Sequence, residues 1–516
     1  MKIGFRLWSI LILLGILASQ SLWAKKYSNY FIKQIFSVDF SITQAIEAGY
    51  VNGKLSEDQA KEIIIVGETD DHQRIVAIYK KTVPNAKQSI VADYQLLRKI
   101  IIDDQFIAYD FYSGANKQFF LMALSAKGLS RFNLNSGKKE SIATLESLYL
   151  NKDAQFLLRK KLVKDLNHDG LDDIIVSGFS HLNLLIQQPN GQFKTTTLPI
   201  KPFIDMERDK VSYSDHRIYT FDANQDQLLD IATLEDNQLL VYLQQSNGAF
   251  EQQAQVIDLP SHASSRAWWY KREADGSYPD QSKVKHKMLE MVTDINGDKV
   301  VDLVVRETQS HSVFDINNNY SIYWGKMLKQ GLIFEKKIGT AIHADGTLTG
   351  LILKDLNNNG KKEVLVSSFE LGVSQIIGAL LSGSVDQDVY LYALDSNNYF
   401  SQQPIFSGEV DLHFSLSSGK SGQPVILTSD LNGDKKFELL LSNSQKRLAI
   451  YSGIQSSKLV AKRYQKYSIL LPKDGAMLKS IDLNEDDKQA IVIHYGKQDD
   501  PSLRNKVIIL RYREPQ

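Results

Sequence analysis

Short apolar runs return along the chain in a strand rhythm. KEIIIVGE (61–68), KQFFLMALS (117–125), DIIVSG (173–178), DLVVRE (302–307), EVLVSS (363–368), ELLLSN (438–443) and AIVIHY (490–495) are rich in β-branched and aliphatic residues and bounded by turn formers. Runs this short predict buried strands, not helices. A second pattern follows several of them: LLIQQPNGQF (184–193), VYLQQSNGAF (241–250), IYWGKMLKQGLIF (322–334) and LYALDSNNYF (391–400). Each predicts a strand, a turn that tolerates positive φ, and an aromatic entering the next strand. One repeat is therefore expected to be a four-stranded antiparallel sheet.

Polar positions repeat just as regularly. DLNHDGLDD (165–173), DANQDQLLD (222–230), DINGDKVVD (294–302), DLNNNGKKE (355–363), DLNGDKKFE (430–438) and DLNEDDKQA (482–490) carry oxygen-bearing side chains at positions 1, 3 and 5. All but the last have an acid at position 9. An oxygen-only, carboxylate-rich set suits a hard cation such as Ca2+. The predicted ligands are Asp165, Asn167, Asp169, Leu171 and Asp173; Asp222, Asn224, Asp226, Leu228 and Asp230; Asp294, Asn296, Asp298, Val300 and Asp302. They continue as Asp355, Asn357, Asn359, Lys361 and Glu363; Asp430, Asn432, Asp434, Lys436 and Glu438; and Asp482, Asn484 and Asp486. Position 7 would contribute its backbone carbonyl. An EF-hand needs a bidentate Glu at position 12 and flanking helices. Position 12 here is Val176, Val305, Val366 or Leu441, inside the strand-like runs, which excludes that motif.

Taken together, these residues resemble the FG-GAP/VCBS repeat family, known from the propeller of integrin α subunits and from secreted bacterial proteins. The resemblance implies a β-propeller with Ca2+ in the hairpin between the first and second strands of its blades, at four to five structural sites. Copy two carries Gln227 where Gly is usual, and copy six ends in Ala490 without the closing carboxylate. Copies one, three, four and five are expected to bind best, copy two less well, and copy six weakly or not at all.

The loops begin 52 to 75 residues apart, a blade period and not that of a helical solenoid. With the two metal-poor runs at 61–68 and 117–125, eight second strands are expected. The predicted fold is all-β, a single propeller of eight blades, or seven if 39–60 forms a cap. Its metal-poor blades would span about 29–150 and its calcium-loop blades about 151–516. A ring must close to avoid open edges, and NYFIKQIFSV (29–38) could complete the last sheet beside MLKSI (477–481), AIVIHY and KVIILRYRE (506–514).

MKIGFRLWSILILLGILASQSLWA (1–24) has the basic start, apolar run and small terminal residue of a secretory signal, with cleavage expected after Ala24 and an uncleaved anchor as the alternative. Export to the periplasm or cell exterior follows. The chain has no Cys, so bound calcium would supply stabilisation that disulfides do not. Sixty basic and sixty acidic residues balance, which argues against nucleic acid and anionic lipid as partners. The ten His follow no zinc spacing, and there is no Cys nucleophile or GxSxG elbow, so no catalytic residue is assigned.

Two insertions stand out. SHASSRAWWYKREADGSYPD (261–280) places Trp268, Trp269 and Tyr270 among basic residues, suited to stacking on a sugar or anchoring a protein, or else to an ordinary inward strand pair. FELGVSQIIGALLSGSVDQD (369–388) is apolar and Gly/Ser-rich, suited to a cover over the central channel or to a docking loop. The function expected is a calcium-binding interaction module for a protein or glycan. The alternatives are a polysaccharide-lyase-like enzyme on the same scaffold and a scaffold subunit of an envelope complex.

Overall fold

The computed structural model describes all residues except 1–29, 57–58, 83–93, 150–156, 208–209, 274–275, 313–314, 344–345, 370–382, 416–419 and 515–516. The signal-like segment 1–24 and most of the insertion 369–388 lie outside the described residues. The regular structure of the rest is almost wholly antiparallel sheet, with a few one-turn 3-10 segments. No helix of the described residues is long and apolar enough to cross a membrane.

The sheets follow one another along the chain. The first takes its inner strand in two pieces, Ser41–Ile42 and Glu47–Gly49, both pairing with Glu62–Glu68, and continues through Arg74–Lys81 and Tyr94–Ile102. Within 39–60, five residues thus supply strand to this sheet. The second runs Phe106–Ser113, Phe119–Ser125, Gly128–Asn133 and Lys139–Thr144, with Leu158–Arg159 added in parallel on its inner edge. In the third, Val163–Lys164, Asp173–Ser177, Leu182–Gln187 and Phe193–Leu198 pair in order. The fourth is Tyr219–Phe221, Asp230–Glu235, Gln238–Tyr242 and Gln255–Asp258. Lys285–Thr293, Asp302–Ser312, Asp315–Tyr323 and Thr340–Ile342 make the fifth; Thr347–Lys354, Glu363–Phe369, Ser384–Tyr392 and Phe406–Ser415 make the sixth. One parallel pair, Asn318 with Thr347, joins these two. The seventh is Ile426–Ser429, Glu438–Ser444, Arg447–Gly453 and Val460–Ser468.

The eighth sheet closes the ring. Leu478–Asp482, Gln489–Ile493 and Lys506–Tyr512 take Phe31–Ser37 as their outer strand, in register from Phe31 opposite Tyr512 to Ser37 opposite Lys506. The expectation for 29–38 is met. IYWGKMLKQGLIF departs from the pattern, because Gly325–Leu328 and Gly331–Phe334 form an extra two-stranded hairpin before the fourth strand of that sheet.

Strand alternation explains how the sheets stack. Successive side chains leave opposite faces, and the second strands are apolar on both. Ile63 and Ile65 pack against the eighth sheet through Ile481 and Val492. Ile64 and Val66 pack against the second through Tyr109 and Leu121. The same division recurs with Val304 against Leu303 and Val305, and with Leu440 against Leu439 and Leu441. Among the described residues, eight apolar clusters each join one sheet to the next in chain order, the last sheet meeting the first. The chain is a β-propeller.

Polar side chains tie neighbouring inner strands together. Ser429 bonds Ser480 at 2.7 Å, and Lys354 reaches Thr428 at 3.2 Å. Lys164 reaches Thr220, and Glu47 meets both Lys479 and Arg159. Because strands alternate direction, the first-to-second and third-to-fourth connections of every sheet lie at one end of the ring. The second-to-third turns and the crossovers between sheets lie at the other.

Candidate functional site

All six acidic loops connect first to second strands, so all lie at the same end. The nine-residue pattern dictates one backbone. Positions 4 and 6 are left-handed in every copy: His168 and Gly170, Gln225 and Gln227, Gly297 and Lys299, Asn358 and Gly360, Gly433 and Lys435, Glu485 and Asp487. Gln227, expected to be singular, shares its conformation with Lys299, Lys435 and Asp487. A side chain is accommodated there sterically, since a Cβ on Gly170 or Gly360 would meet nothing within 4 Å. Its cost is the backbone energy alone.

Side-chain oxygens fold the loop onto itself. The position-1 carboxylate accepts the position-6 N–H in the first five copies, at 3.0, 2.8, 2.9, 2.8 and 2.8 Å. The position-3 carbonyl accepts the position-5 N–H, as from Asp169 to Asn167 at 3.2 Å and from Asp298 to Asn296 at 3.0 Å. The position-5 oxygen accepts the N–H of Leu171, Leu228, Val300, Lys361 or Lys436 at 2.8–2.9 Å. Positions 1, 3 and 5 are thereby drawn into one turn.

The position-9 acid lies beneath that turn. Asp173, Asp230 and Asp302 are 0% exposed, and Glu363 and Glu438 nearly so. Asp173 accepts the N–H of Leu166 at 3.0 Å and of Gln187, on the third strand, at 2.8 Å. Asp230 repeats this with Ala223 and Gln244, and Asp302 with Ile295 and Gly325. These acids lock loop to sheet, a role the sequence pattern did not reveal, and each oxygen retains a second lone pair. Burial first, and then the neighbouring loop acids, push Asp173 and Asp302 up to about 7 and Asp230 to about 6. Burial likewise raises Glu363 and Glu438 to about 7, again reinforced by nearby loop acids.

Charge separates the copies. In copies one to four, no acid at position 1, 5 or 9 has a Lys, Arg or His ion-pair partner among the described residues. Asp165 Oδ1 is buried without a hydrogen-bond partner. Copy six is different. Lys61 faces Asp482 at 3.6 Å, while Lys54 and Lys117 hold Glu485 at 2.7 and 3.1 Å. Those lysines depress Glu485 to about 2. Ala490, where the closing acid would stand, packs into the apolar cluster between the eighth and first sheets. Among the described residues, no three His, Cys, Asp or Glu side chains are grouped so as to hold a metal ion by themselves. The donor set of each loop instead includes Asn, and the first copy, whose acids have no protein counter-ion among the described residues and whose Asp165 Oδ1 is buried and unpaired, fits a divalent cation.

The opposite end carries a cleft of about 1180 Å3. Its walls come from the crossover around the fourth sheet, the turn at 235–237, and the strands beginning at Lys285 and ending near Gln309. The crossover before the fourth sheet folds into an added hairpin, Phe203–Glu207 with Lys210–Ser214. Asp205 on this hairpin receives both guanidinium arms of Arg266, at 2.9 and 2.5 Å. Arg266 lies 4.6 Å over the ring of Phe203 and 4.7 Å from that of Tyr270, and Phe203 stacks on His216 at 3.7 Å. Four flat groups thus form one wall. Burial, with Arg266 nearby, holds His216 below its usual range, and burial does the same to His286, whose Nε2 meets Arg266 O at 2.8 Å.

Trp268–Tyr270 form a 3-10 turn with no buried residue, so the inward strand pair is not what forms. Trp269 and Tyr270 are 48% and 50% exposed. Tyr270 lines the cleft, together with Arg266 and Lys271 of the same insertion. The insertion's adjacent aromatics were the sequence signal for this region; the hairpin that completes the wall left none.

No protein-family model and no curated protein matches the chain. Solved structures similar in shape include BBS1N in its complex with ARL6DN, at 10% identity and TM-score 0.39, covering 95% of this chain and 99% of that one. The V. cholerae biofilm matrix protein Bap1 matches at 12% identity and TM-score 0.39, over 92% of this chain and 89% of its own. The WD40 domain of SCAP from fission yeast matches at 10% identity and TM-score 0.39, over 94% and 95%.

Proposed function

We propose that the protein is an exported, calcium-stabilised propeller of eight blades that serves as a binding module. The observation that carries the metal reading is the contrast among the loops. In copies one to four the loop acids have no protein counter-ion among the described residues; in copy five Lys436 stands 3.3 Å from Asp434, and in copy six, which lacks the closing acid, Lys61 faces Asp482 and two further lysines hold Glu485. A cation in the first five loops would neutralise Asp165, Asp169, Asp173 and their equivalents and hold the turns rigid. The eight clusters in cyclic order support the blade number. Crossovers displayed at the far end, with a walled cleft, support a binding role.

EGTA should lower the thermal midpoint of the mature chain, and Ca2+ should restore it where equal Mg2+ does not, because Mg2+ demands a tighter octahedral shell. Equilibrium dialysis should find no more than five ions. Asp294→Ala with Asp298→Ala should remove one of them and leave the rest. An unchanged midpoint in EGTA refutes the metal role.

A further inference from the structure

The geometry points to an acidic oligosaccharide, bearing uronate or sulfate groups, as the ligand of the cleft beside the fourth and fifth sheets. This rests on the binding-module reading and adds the class of ligand.

Three features converge. First, the lining cations divide into two kinds. Arg266 is neutralised by Asp205, and Lys287 is held by Glu307 at 3.0 Å and Ser261 at 3.0 Å, so both serve the wall. Lys201, Lys271 and Lys285 are exposed at the cleft and have no acid partner among the described residues. They come from three different segments: the crossover before the fourth sheet, the aromatic insertion, and the first strand of the fifth sheet. Cations that converge from separate elements without a protein partner are placed for anions on a ligand.

Second, the aromatic character is that of a platform. Trp269 and Tyr270 are half-exposed on a one-turn segment next to Lys271, and Tyr270 is backed by the Arg266–Phe203–His216 stack. A flat ring fixed from behind offers its open surface to the apolar face of a pyranose, and it loses little entropy on binding. An acidic peptide would meet the same lysines but has less use for a rigid platform.

Third, size selects an oligomer. A cavity of about 1180 Å3 exceeds the roughly 300–1,000 Å3 of ordinary small-molecule sites. Polar groups for sugar hydroxyls are at hand. Exposed Gln309 sits on the long second strand of the fifth sheet, and the exposed carboxylates of Glu235 and Asp236 on the facing turn can accept from sugar hydroxyls. The loop acids lie at the other end of the ring, so recognition does not require the calcium turns to touch the ligand.

The test is calorimetric titration of the mature chain with a glucuronate-bearing oligosaccharide, a sulfated one, a neutral one of equal length, and polyglutamate. Either anionic glycan should bind, with affinity that weakens as NaCl rises, and the two arms show which anionic group is preferred. The neutral sugar and polyglutamate should bind at least about tenfold more weakly. Lys271→Gln with Lys285→Gln, at exposed positions with no acid partner among the described residues, should weaken glycan binding by about tenfold, and Tyr270→Ala should weaken it further. Polyglutamate binding as tightly as the glycans, no binding of either anionic glycan, or an unchanged affinity in the double variant would overturn the assignment. The Ca2+-dependent midpoint is read on the same samples. If it persists while glycan binding is absent, the cleft reading alone has failed.

Discussion

At the scale of single residues, the acidic loops set backbone conformation against side-chain chemistry. Two left-handed positions per turn aim the oxygens of positions 1, 3 and 5 inward, yet only some of those positions carry Gly. Gln227, Lys299 and Lys435 hold φ of 73, 68 and 64 where Gly170 and Gly360 hold 82 and 86. A left-handed non-glycine residue costs about 1–2 kcal/mol, partly offset by the lower entropy of its unfolded chain. Gln227→Gly and Lys435→Gly should therefore each stabilise the protein by about 0.5–1 kcal/mol, measured by urea denaturation. Destabilisation by both would mean that those side chains make contacts worth more than the strain.

At the scale of the element, a loop and its following strand act as one titrating unit. The buried position-9 acids have folded pKa values near 6 to 7, above the roughly 4 of an unfolded carboxyl group. Such groups stabilise the fold fully when protonated below about pH 4, and that stabilisation is lost as pH rises through 6 to 7. With calcium chelated, the midpoint should fall by a few degrees between pH 5 and pH 7.5. A bound cation favours the ionised acids, so the rise in midpoint produced by Ca2+ should be larger at pH 7.5 than at pH 5. Differential scanning calorimetry at the two values, with and without EGTA, measures both; equal calcium shifts would separate the position-9 acids from the metal.

At the scale of the whole molecule, stability depends on closure. Each sheet buries both faces against its neighbours, so a missing strand leaves one interface and one edge open. Phe31–Ser37 supplies the outer strand of the last sheet, and Phe31, 3% exposed, packs with Tyr467 and Tyr495 between the seventh and eighth sheets. A chain beginning at Asp39 should expose the Lys506–Tyr512 edge. It should melt at a lower temperature and form oligomers by light scattering. A monomer with an unaltered midpoint would show that the ring holds without its terminal strand.

Much of this was legible in the residues themselves. Short apolar runs and recurring Asp/Asn turns determined the strands, the loop backbone and the sheet size, because strand propensity and turn chemistry are local constraints. The closing strand could be anticipated because the last unit offered three strands and the early run at 29–38 was left to supply the fourth. Other features depend on parts of the chain far apart in sequence. The lysine clamp on copy six joins Lys54, Lys61 and Lys117 to acids more than four hundred or nearly four hundred residues away, as with Lys54 and Glu485, which are 431 positions apart. The cleft wall joins Asp205 to Arg266 across 61 positions, through a hairpin with no distinctive motif. Local pattern specifies what a segment becomes; which charges meet, and whether a cation or a lysine stands beside an acid, is decided only when the ring brings distant segments together.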